Sequence, residues 1–255
     1  MLLAVDIGNT HTVIGLFRKT DILACWRLQT CRHATADDLA VVLHGLFAAR
    51  RLSLDLINKV IIGSVVPALK KSWRDLARQY TGSFPVEVGP HLDTGITIAT
   101  RNPEEVGADR IINCVAGYNL YRQALIIIDF GTAITFDCIT GQAEYLGGAI
   151  APGLKVTSDA LARKAAKLPR VDLSTFPSRT IGDSTETALQ SGFIYGFTGL
   201  VEGMVKRLSR EFSEQPKVIA TGGQVEVIAS CTSIVDSLEP MLTLTGLQIL
   251  YARNS

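Results

Sequence analysis

The sequence predicts a mixed α/β fold of two similar lobes, and three observations carry that prediction. First, one phrase occurs twice. Near the start the chain reads Leu3-Ala4-Val5-Asp6-Ile7-Gly8-Asn9-Thr10-His11-Thr12-Val13, and halfway along it reads Ile126-Ile127-Ile128-Asp129-Phe130-Gly131-Thr132-Ala133-Ile134-Thr135-Phe136-Asp137. In each, an apolar run ends at an Asp, a Gly follows two residues later, a Thr six residues after the Asp, and then a second β-rich run. Second, three consecutive strand patterns followed by alternating helix and strand patterns are performed twice. Third, no low-complexity tract or flexible linker separates the halves. The reading is one continuous fold with a cleft, with lobes over 1–115 and 116–255.

The elements follow in order. Residues 2–7, 12–18 and 22–28 alternate like strands joined by tight Gly/Asn and Lys/Thr/Asp turns. Leu39, Val42, Leu43, Leu46 and Phe47 have helical spacing within 36–51. The β-branched run 59–66 ends at Pro67, which suits the first turn of a helix through about Tyr80. A short strand is expected at 85–88, loop over 90–105 and a helix over 104–121 that crosses between the halves. The pattern then restarts, with strands at 124–129, 133–139 and 144–150. A helix opens at Pro152 and runs to about Lys167, and 168–182 is an exposed excursion. A long helix over 183–212 carries a small-residue face (Ala188, Ser191, Gly192, Gly196, Gly199, Gly203) suited to close approach by another helix or backbone. Strand 217–221, helix 224–230 and the segment 242–251 complete the chain.

Composition narrows the function classes. The chain has 255 residues, of which 47% are hydrophobic and 19% charged, enough for a sizeable core. A formal net charge of +1 argues against a nucleic-acid partner held by a strong basic field. No run of about 18 apolar residues suggests a membrane span, and no signal peptide precedes Asp6. Five scattered cysteines without a Cys-x-x-Cys pair indicate reduced thiols in the cytoplasm rather than zinc or a disulfide framework. There is no Gly-x-x-x-x-Gly-Lys-[Ser/Thr] phosphate loop and no Gly-x-Gly-x-x-Gly.

The duplicated phrases are the first candidate site. An Asp at the end of a buried strand, followed by Gly8, Asn9 and Thr10, offers backbone N–H groups and a hydroxyl to phosphate oxygens. The Asp is itself an anion, so it reaches phosphate through a cation, Mg²⁺ with its water shell. Thr132 is placed to touch phosphate in the second phrase, and Asp129 to hold a second cation. The phosphates of one nucleotide would then sit between the two halves. Asp137 reads equally as a ligand or as a local acceptor. In Gly107-Ala108-Asp109-Arg110 the carboxylate stands at a helix start, favoured by the helix dipole. It reads either as an ordinary helix-terminal Asp or as a general base towards a substrate hydroxyl, with Arg110 holding an anion. Gly147-Gly148, Pro152-Gly153-Leu154 and Thr221-Gly222-Gly223 are places where bare backbone meets a ligand or simply turns.

The ordered set Asp6-x-Gly-Asn-Thr10, Gly107-Ala-Asp-Arg110 with Asn113, Asp129-x-Gly-Thr132, Gly147-Gly148 with Pro152-Gly153-Leu154, and Thr221-Gly222-Gly223 resembles the type III pantothenate kinases, also called the Bvg accessory factor family. The resemblance covers the whole chain. It implies the acetate and sugar kinase/Hsp70/actin fold, with two ribonuclease-H-like lobes, an interlobe cleft and a homodimer. The implied reaction is ATP plus pantothenate giving ADP and 4′-phosphopantothenate, the first step towards coenzyme A, with Mg²⁺ and a monovalent cation, K⁺ or NH₄⁺. Carried over by position, Asp6, Ile7, Gly8, Asn9, Thr10, His11, Thr12 and Val13 form the nucleotide phosphate loop, with Asp6 reaching Mg²⁺ through water. Thr132 binds ATP phosphates and Asp129 the monovalent cation. Gly107, Ala108, Asp109 and Arg110 line the pantothenate pocket, with Asp109 as base. Thr185 also contacts pantothenate and in the family reaches it across the dimer interface. Thr100 stands where the family usually has a Tyr that encloses pantothenate, and Ile134 where it commonly has Thr. Two further readings remain at this stage: a regulatory homologue that keeps the scaffold with weak or no catalysis, and another phosphotransferase or phosphatase of the superfamily.

Overall fold

A computed structural model describes residues 1–174 and 176–255. The chain divides into two compact units. One comprises Met1–Ile96, Arg101–Ala116 and Met241–Ser255; the other comprises Thr97–Thr100 and Gly117–Pro240. The first change of unit along α3 falls after Ala116. Two segments depart from a single cut: the C-terminal residues belong with the first unit, and 97–100 with the second.

The first unit is built on strands β1 (Leu2–Ile7), β2 (His11–Arg18), β3 (Asp21–Gln29), β4 (Lys59–Ser64) and β5 (Val86–Glu87), in the order β3-β2-β1-β4-β5. β1 pairs antiparallel with β2 and parallel with β4. Strand residues alternate between faces, so Leu3, Val5 and Ile7 point one way, into a core with Leu43 and Phe47 of helix α1 (Ala36–Ala49) and Leu69, Trp73 and Leu76 of helix α2 (Pro67–Thr81). Each such buried aliphatic contributes roughly 1.5–3 kcal/mol. Thr35 caps α1: its hydroxyl accepts from Asp38 N, and Asp38 accepts from Thr35 N. Pro67 opens α2, and Gly82, in the left-handed region at φ 65°, closes it. The other sheet face meets helix α3 (Ala108–Tyr121) and helix α7 (Leu242–Arg253). A Cβ on Gly15 would lie 3.0 Å from Leu244 Cδ1, and one on Gly63 2.6 Å from Ile112 Cδ1.

The second unit repeats this plan. Strands β7 (Leu125–Phe130), β8 (Ala133–Ile139), β9 (Glu144–Pro152), β10 (Lys217–Thr221) and β11 (Ser237–Leu238) stand in the order β11-β10-β7-β8-β9, with β6 (Thr97–Ile98) added beside β9. β7 takes the place of β1, with an antiparallel neighbour on one side and a parallel neighbour on the other. Ile126, Ile128 and Phe130 enter a core with Leu154 of helix α4 (Leu154–Lys164), Phe193, Phe197 and Val201 of helix α5 (Thr185–Leu208), and Ile228 of helix α6 (Val225–Ala229). Gly117, in the second half of α3, lies against Leu125, Ile127 and Ile219 on the opposite face.

Besides shorter ends for α4 and α5 and the added short strand β11, three expectations differ from what is observed. Residues 97–98, read as loop, form β6, because an edge strand needs only a few ladder bonds (Thr97 N to Ala143 O at 2.8 Å, Ala99 N to Tyr145 O at 2.9 Å) and carries no long apolar run. Pro152 ends β9 instead of opening a helix, and α4 begins at Leu154. α3 starts at Ala108, four residues after the expected start, because Pro103–Glu105 closes as a separate 3₁₀ turn.

Gly246 of α7 is in van der Waals conflict with any added Cβ, because Ile112 O and Cγ2 already occupy that space. Gly246→Ala is expected to cost about 1–3 kcal/mol by overpacking, despite the better helix propensity of Ala. A lowered urea midpoint with an unchanged slope checks this.

Candidate active site

Both duplicated carboxylates leave their strands on the face opposite the helical cores just described. Asp6 shares its face with Leu2 and Ala4, and is paired with Val13 on β2 and Gly63 on β4. Asp129 shares its face with Leu125 and Ile127, and is paired with Thr135 on β8 and Thr221 on β10. Each is partly exposed. The residues after Asp6 turn tightly: Gly8 N donates to His11 O at 3.0 Å. Asn9 and Thr10 are exposed at the tip, Thr12 is buried, and Ile7 is a core residue. His11 Nδ1 lies 3.1 Å from Arg27 Nη2, so this histidine has a partner on the neighbouring strand. In the second phrase Gly131 N donates to Ala133 O at 3.0 Å and Thr132 is exposed.

Space around Asp129 is kept open by glycine. Gly222, at φ 99°, would place a Cβ 2.5 Å from Asp129 Oδ1 and 2.6 Å from Phe130 N; a Cβ on Gly131 would lie 3.7 Å from the same carboxylate oxygen. The second glycine phrase thus packs against the tip of β7. Gly153 likewise approaches the turn, donating its N–H to Thr132 O at 3.1 Å. These glycines serve approach of backbone to backbone within the unit. Among the described residues no group of three or more His, Cys, Asp or Glu side chains is placed to hold a metal ion. The described residues around Asp129 therefore do not form a dedicated protein cage for a metal ion.

Asp109 is the second residue of α3. Its Oδ1 accepts from Arg110 N at 2.9 Å and stands 2.5 Å from where a Gly107 Cβ would be. Gly107 therefore lets the carboxylate fold back over the helix start. Burial pushes the Asp109 carboxyl above its ordinary value; the Arg110 N–H and guanidinium pull the other way and do not cancel it. Ala108 and Arg110 flank it, both partly buried. Asn113 is structural: buried, it accepts from Thr243 Oγ1 at 2.8 Å and ties α3 to α7.

Thr185, the first residue of α5, is exposed beside the capping residue Ser184. Thr100 is partly buried and its hydroxyl oxygen has no hydrogen-bond partner. Asp137 is wholly buried and accepts from Tyr145 OH at 2.9 Å and Thr135 Oγ1 at 3.1 Å, which assigns it to the sheet's internal hydrogen bonding. A cavity of about 550 Å³ in the second unit lies among α4, residues 170–174 and the start of α6, with Lys155, Ser158, Arg170 and Gln224 on its walls. Sequence reasoning missed that cavity, since its walls come from three separate segments.

A family model described as type III pantothenate kinase matches residues 2–207. The chain is 44% identical over 255 residues to the type III pantothenate kinase of Desulfatibacillum aliphaticivorans, covering all of this chain and 99% of that one. It is 46% identical over 254 residues to the type III pantothenate kinase of Syntrophotalea carbinolica, again covering 100% and 99%. Among solved structures, a Baf family protein of Campylobacter jejuni aligns with a TM-score of 0.63 at 19% identity, over 98% of this chain and 96% of that one. Component A of the Acidaminococcus fermentans (R)-2-hydroxyglutaryl-CoA dehydratase aligns at 0.53 and 12% identity, over 99% and 96%. The structural likenesses show the actin-like fold with its ribonuclease-H-like sheets.

Gly222→Ala is expected to cost on the order of 1–3 kcal/mol, since it adds left-handed strain to a clash with Asp129. Thermal unfolding measures this, and a Gly223→Ala control should show a smaller shift. The ordered motifs, the family model and full-length identity above 40% agree: the chain belongs to the type III pantothenate kinases.

Proposed function

We propose that the chain transfers the γ-phosphoryl group of ATP to the primary hydroxyl of pantothenate, with Asp109 as general base. Asp109 itself carries the proposal: a partly buried carboxylate, held over a helix start by one glycine, with its affinity for a proton raised by desolvation. A base works best when its pKa approaches the working pH, and burial moves this one in that direction. Asp109 accepts the hydroxyl proton as the oxygen attacks the γ-phosphorus, and the bond from that phosphorus to the β–γ bridging oxygen breaks to release ADP. Arg110 offers a planar fork to an anionic group. Catalysis in this class comes mainly from positioning and electrostatics.

In this reading Asp6 through Val13 and Thr132 bind the ATP phosphates, and Gly107, Ala108, Arg110, Thr100 and Thr185 contact pantothenate. The unpaired Thr100 hydroxyl is consistent with a ligand group as its partner. The cavity beside Gln224 has the volume of a small-ligand pocket and is assigned to the nucleoside. Asp129 would hold K⁺ or NH₄⁺, and Asp6 would reach Mg²⁺ through water; when bound, these ions offset phosphate charge. The working form is taken as a homodimer. Its support is the α5 face, where Cβ atoms on Gly192, Gly196 and Gly199 would meet no atom within 4 Å. The location is taken as cytoplasmic, in keeping with five free cysteines. Among the described residues no helix is long and apolar enough to cross a membrane, and no membrane or nucleic-acid partner is invoked.

A coupled ADP-release assay tests the assignment. Turnover should require both pantothenate and a monovalent cation. Phosphate release without pantothenate would favour a hydrolase, and no turnover at all a regulatory homologue. Asp109→Asn should lower kcat by about 10²–10⁴-fold, and near-wild-type turnover would remove Asp109 from the mechanism. The raised pKa also sets the sign of a stability effect. The folded state holds the Asp109 proton more tightly than the unfolded chain does, so this group's contribution to stability falls as pH rises through its unfolded and then its folded pKa. Asp109→Asn is therefore expected to have a melting temperature at or above wild type at pH 8, with the difference shrinking towards pH 4. A scan of melting temperature against pH checks it.

A further inference from the structure

We propose that Thr30, the residue just after β3, is a positioning residue that turns the acceptor oxygens of the 8–11 loop away from the bound nucleotide. The inference rests on the reading of that loop as the phosphate-binding loop. Thr30 Oγ1 donates to Gly8 O at 2.7 Å, and Thr30 N donates to Thr10 O at 2.9 Å. Thr30 Oγ1 also lies 3.0 Å from the hydroxyl of Thr12, which is 4% exposed. Gly8 O can only accept, so the single Thr30 hydroxyl proton is committed to it. Thr12 must then be the donor to Thr30. The result is a directed chain, Thr12 to Thr30 to Gly8, in which each bond polarises the next. Two residues on, Arg32 Nη2 donates to Asn9 Oδ1 at 3.1 Å.

Three loop oxygens, Gly8 O, Thr10 O and Asn9 Oδ1, are therefore collected by Thr30 and Arg32. This matters for an anion in two ways. Carbonyl oxygens are the negative ends of their dipoles and repel phosphate wherever they face it. In a trans peptide the C=O and N–H point in opposite directions. Anchoring the Gly8 and Thr10 carbonyls on Thr30 therefore turns the Asn9 and His11 N–H groups to the side away from Thr30. The Thr30 hydroxyl fixes the Gly8 carbonyl and the Thr30 backbone N–H the Thr10 carbonyl, so this one residue orients two loop peptides.

The test compares Thr30→Val, which keeps shape and backbone but lacks the hydroxyl, with Thr30→Ser, which restores it. Binding of Mg²⁺ and a non-hydrolysable ATP analogue is measured by titration, alongside KM for ATP and for pantothenate. Thr30→Val should weaken analogue binding and raise the ATP KM about tenfold, leaving the pantothenate KM unchanged. Thr30→Ser should stay within about twofold of wild type. Asp6→Asn separates the two levels of the argument. If Asp6→Asn weakens nucleotide binding and Thr30→Val does not, the brace is wrong and the phosphate loop stands. If neither weakens it, the phosphate-loop reading falls and takes the brace with it. If Thr30→Val weakens both substrates alike, Thr30 is merely structural and the proposal is overturned. Should Thr30→Val not fold, Thr30→Cys, of similar size but a weak donor, must show the same selective rise in ATP KM for the proposal to survive.

Discussion

Alternation of side chains along two buried strands is the constraint on which the rest of this structure depends. Leu3, Val5 and Ile7 on β1, and Ile126, Ile128 and Phe130 on β7, are all at or near zero exposure in their helical cores. Leu2, Ala4, Leu125 and Ile127 on the other face are buried as well, so a one-residue slip, which exchanges the faces, is opposed chiefly because it would turn Asp6 or Asp129 into an apolar core. Asp6 and Asp129 are thereby driven onto the opposite face, at the strand ends. The carboxylates are placed by the cost of burying a charge among apolar neighbours.

Placement to within an ångström needs a second device, and here it is the missing side chain. Gly107 clears the space into which Asp109 folds, and Gly222 clears the space beside Asp129. In both cases the carboxylate has backbone close on one side and is not wholly enclosed. Such an acid keeps access to a ligand while losing part of its water. For Asp109 that loss is visible as a raised proton affinity. Thr30 does the corresponding work for a neutral loop: it orders oxygens rather than clearing room for them.

Much of this was legible in the sequence because it rests on local pattern. The longer strands of both sheets, the helical spacing of α1, Pro67 and the duplicated Asp phrases are all set by residues adjacent in the chain. The candidate residues Asp6, Asp109 and Asp129 stand out in the sequence for the same reason. What escaped depends on partners far away in sequence. β6 exists because residues 97–98 meet Glu144 and Tyr145, and α7 belongs with the first unit because Gly246 meets Ile112. Thr30 looks like an ordinary polar residue after a strand until Gly8 and Thr10 are seen to bond to it, about twenty positions earlier. Asn113 and Asp137 lie within motif-like stretches, yet their hydrogen bonds serve packing.

The two units also show how a duplicated scaffold diverges in its surroundings. Both sheets carry an Asp at the end of the strand between an antiparallel and a parallel neighbour, but the residues opposite differ. Asp6 faces Val13 and Gly63, one apolar side chain and one bare backbone. Asp129 faces Thr135 and Thr221, two hydroxyl-bearing residues. The hydroxyl proton of Thr135 is donated to Asp137, leaving its oxygen lone pairs as the polarity it can offer elsewhere. The duplicated aspartates thus stand in chemically distinct surroundings because of substitutions on the neighbouring strands, with the shared backbone plan unchanged.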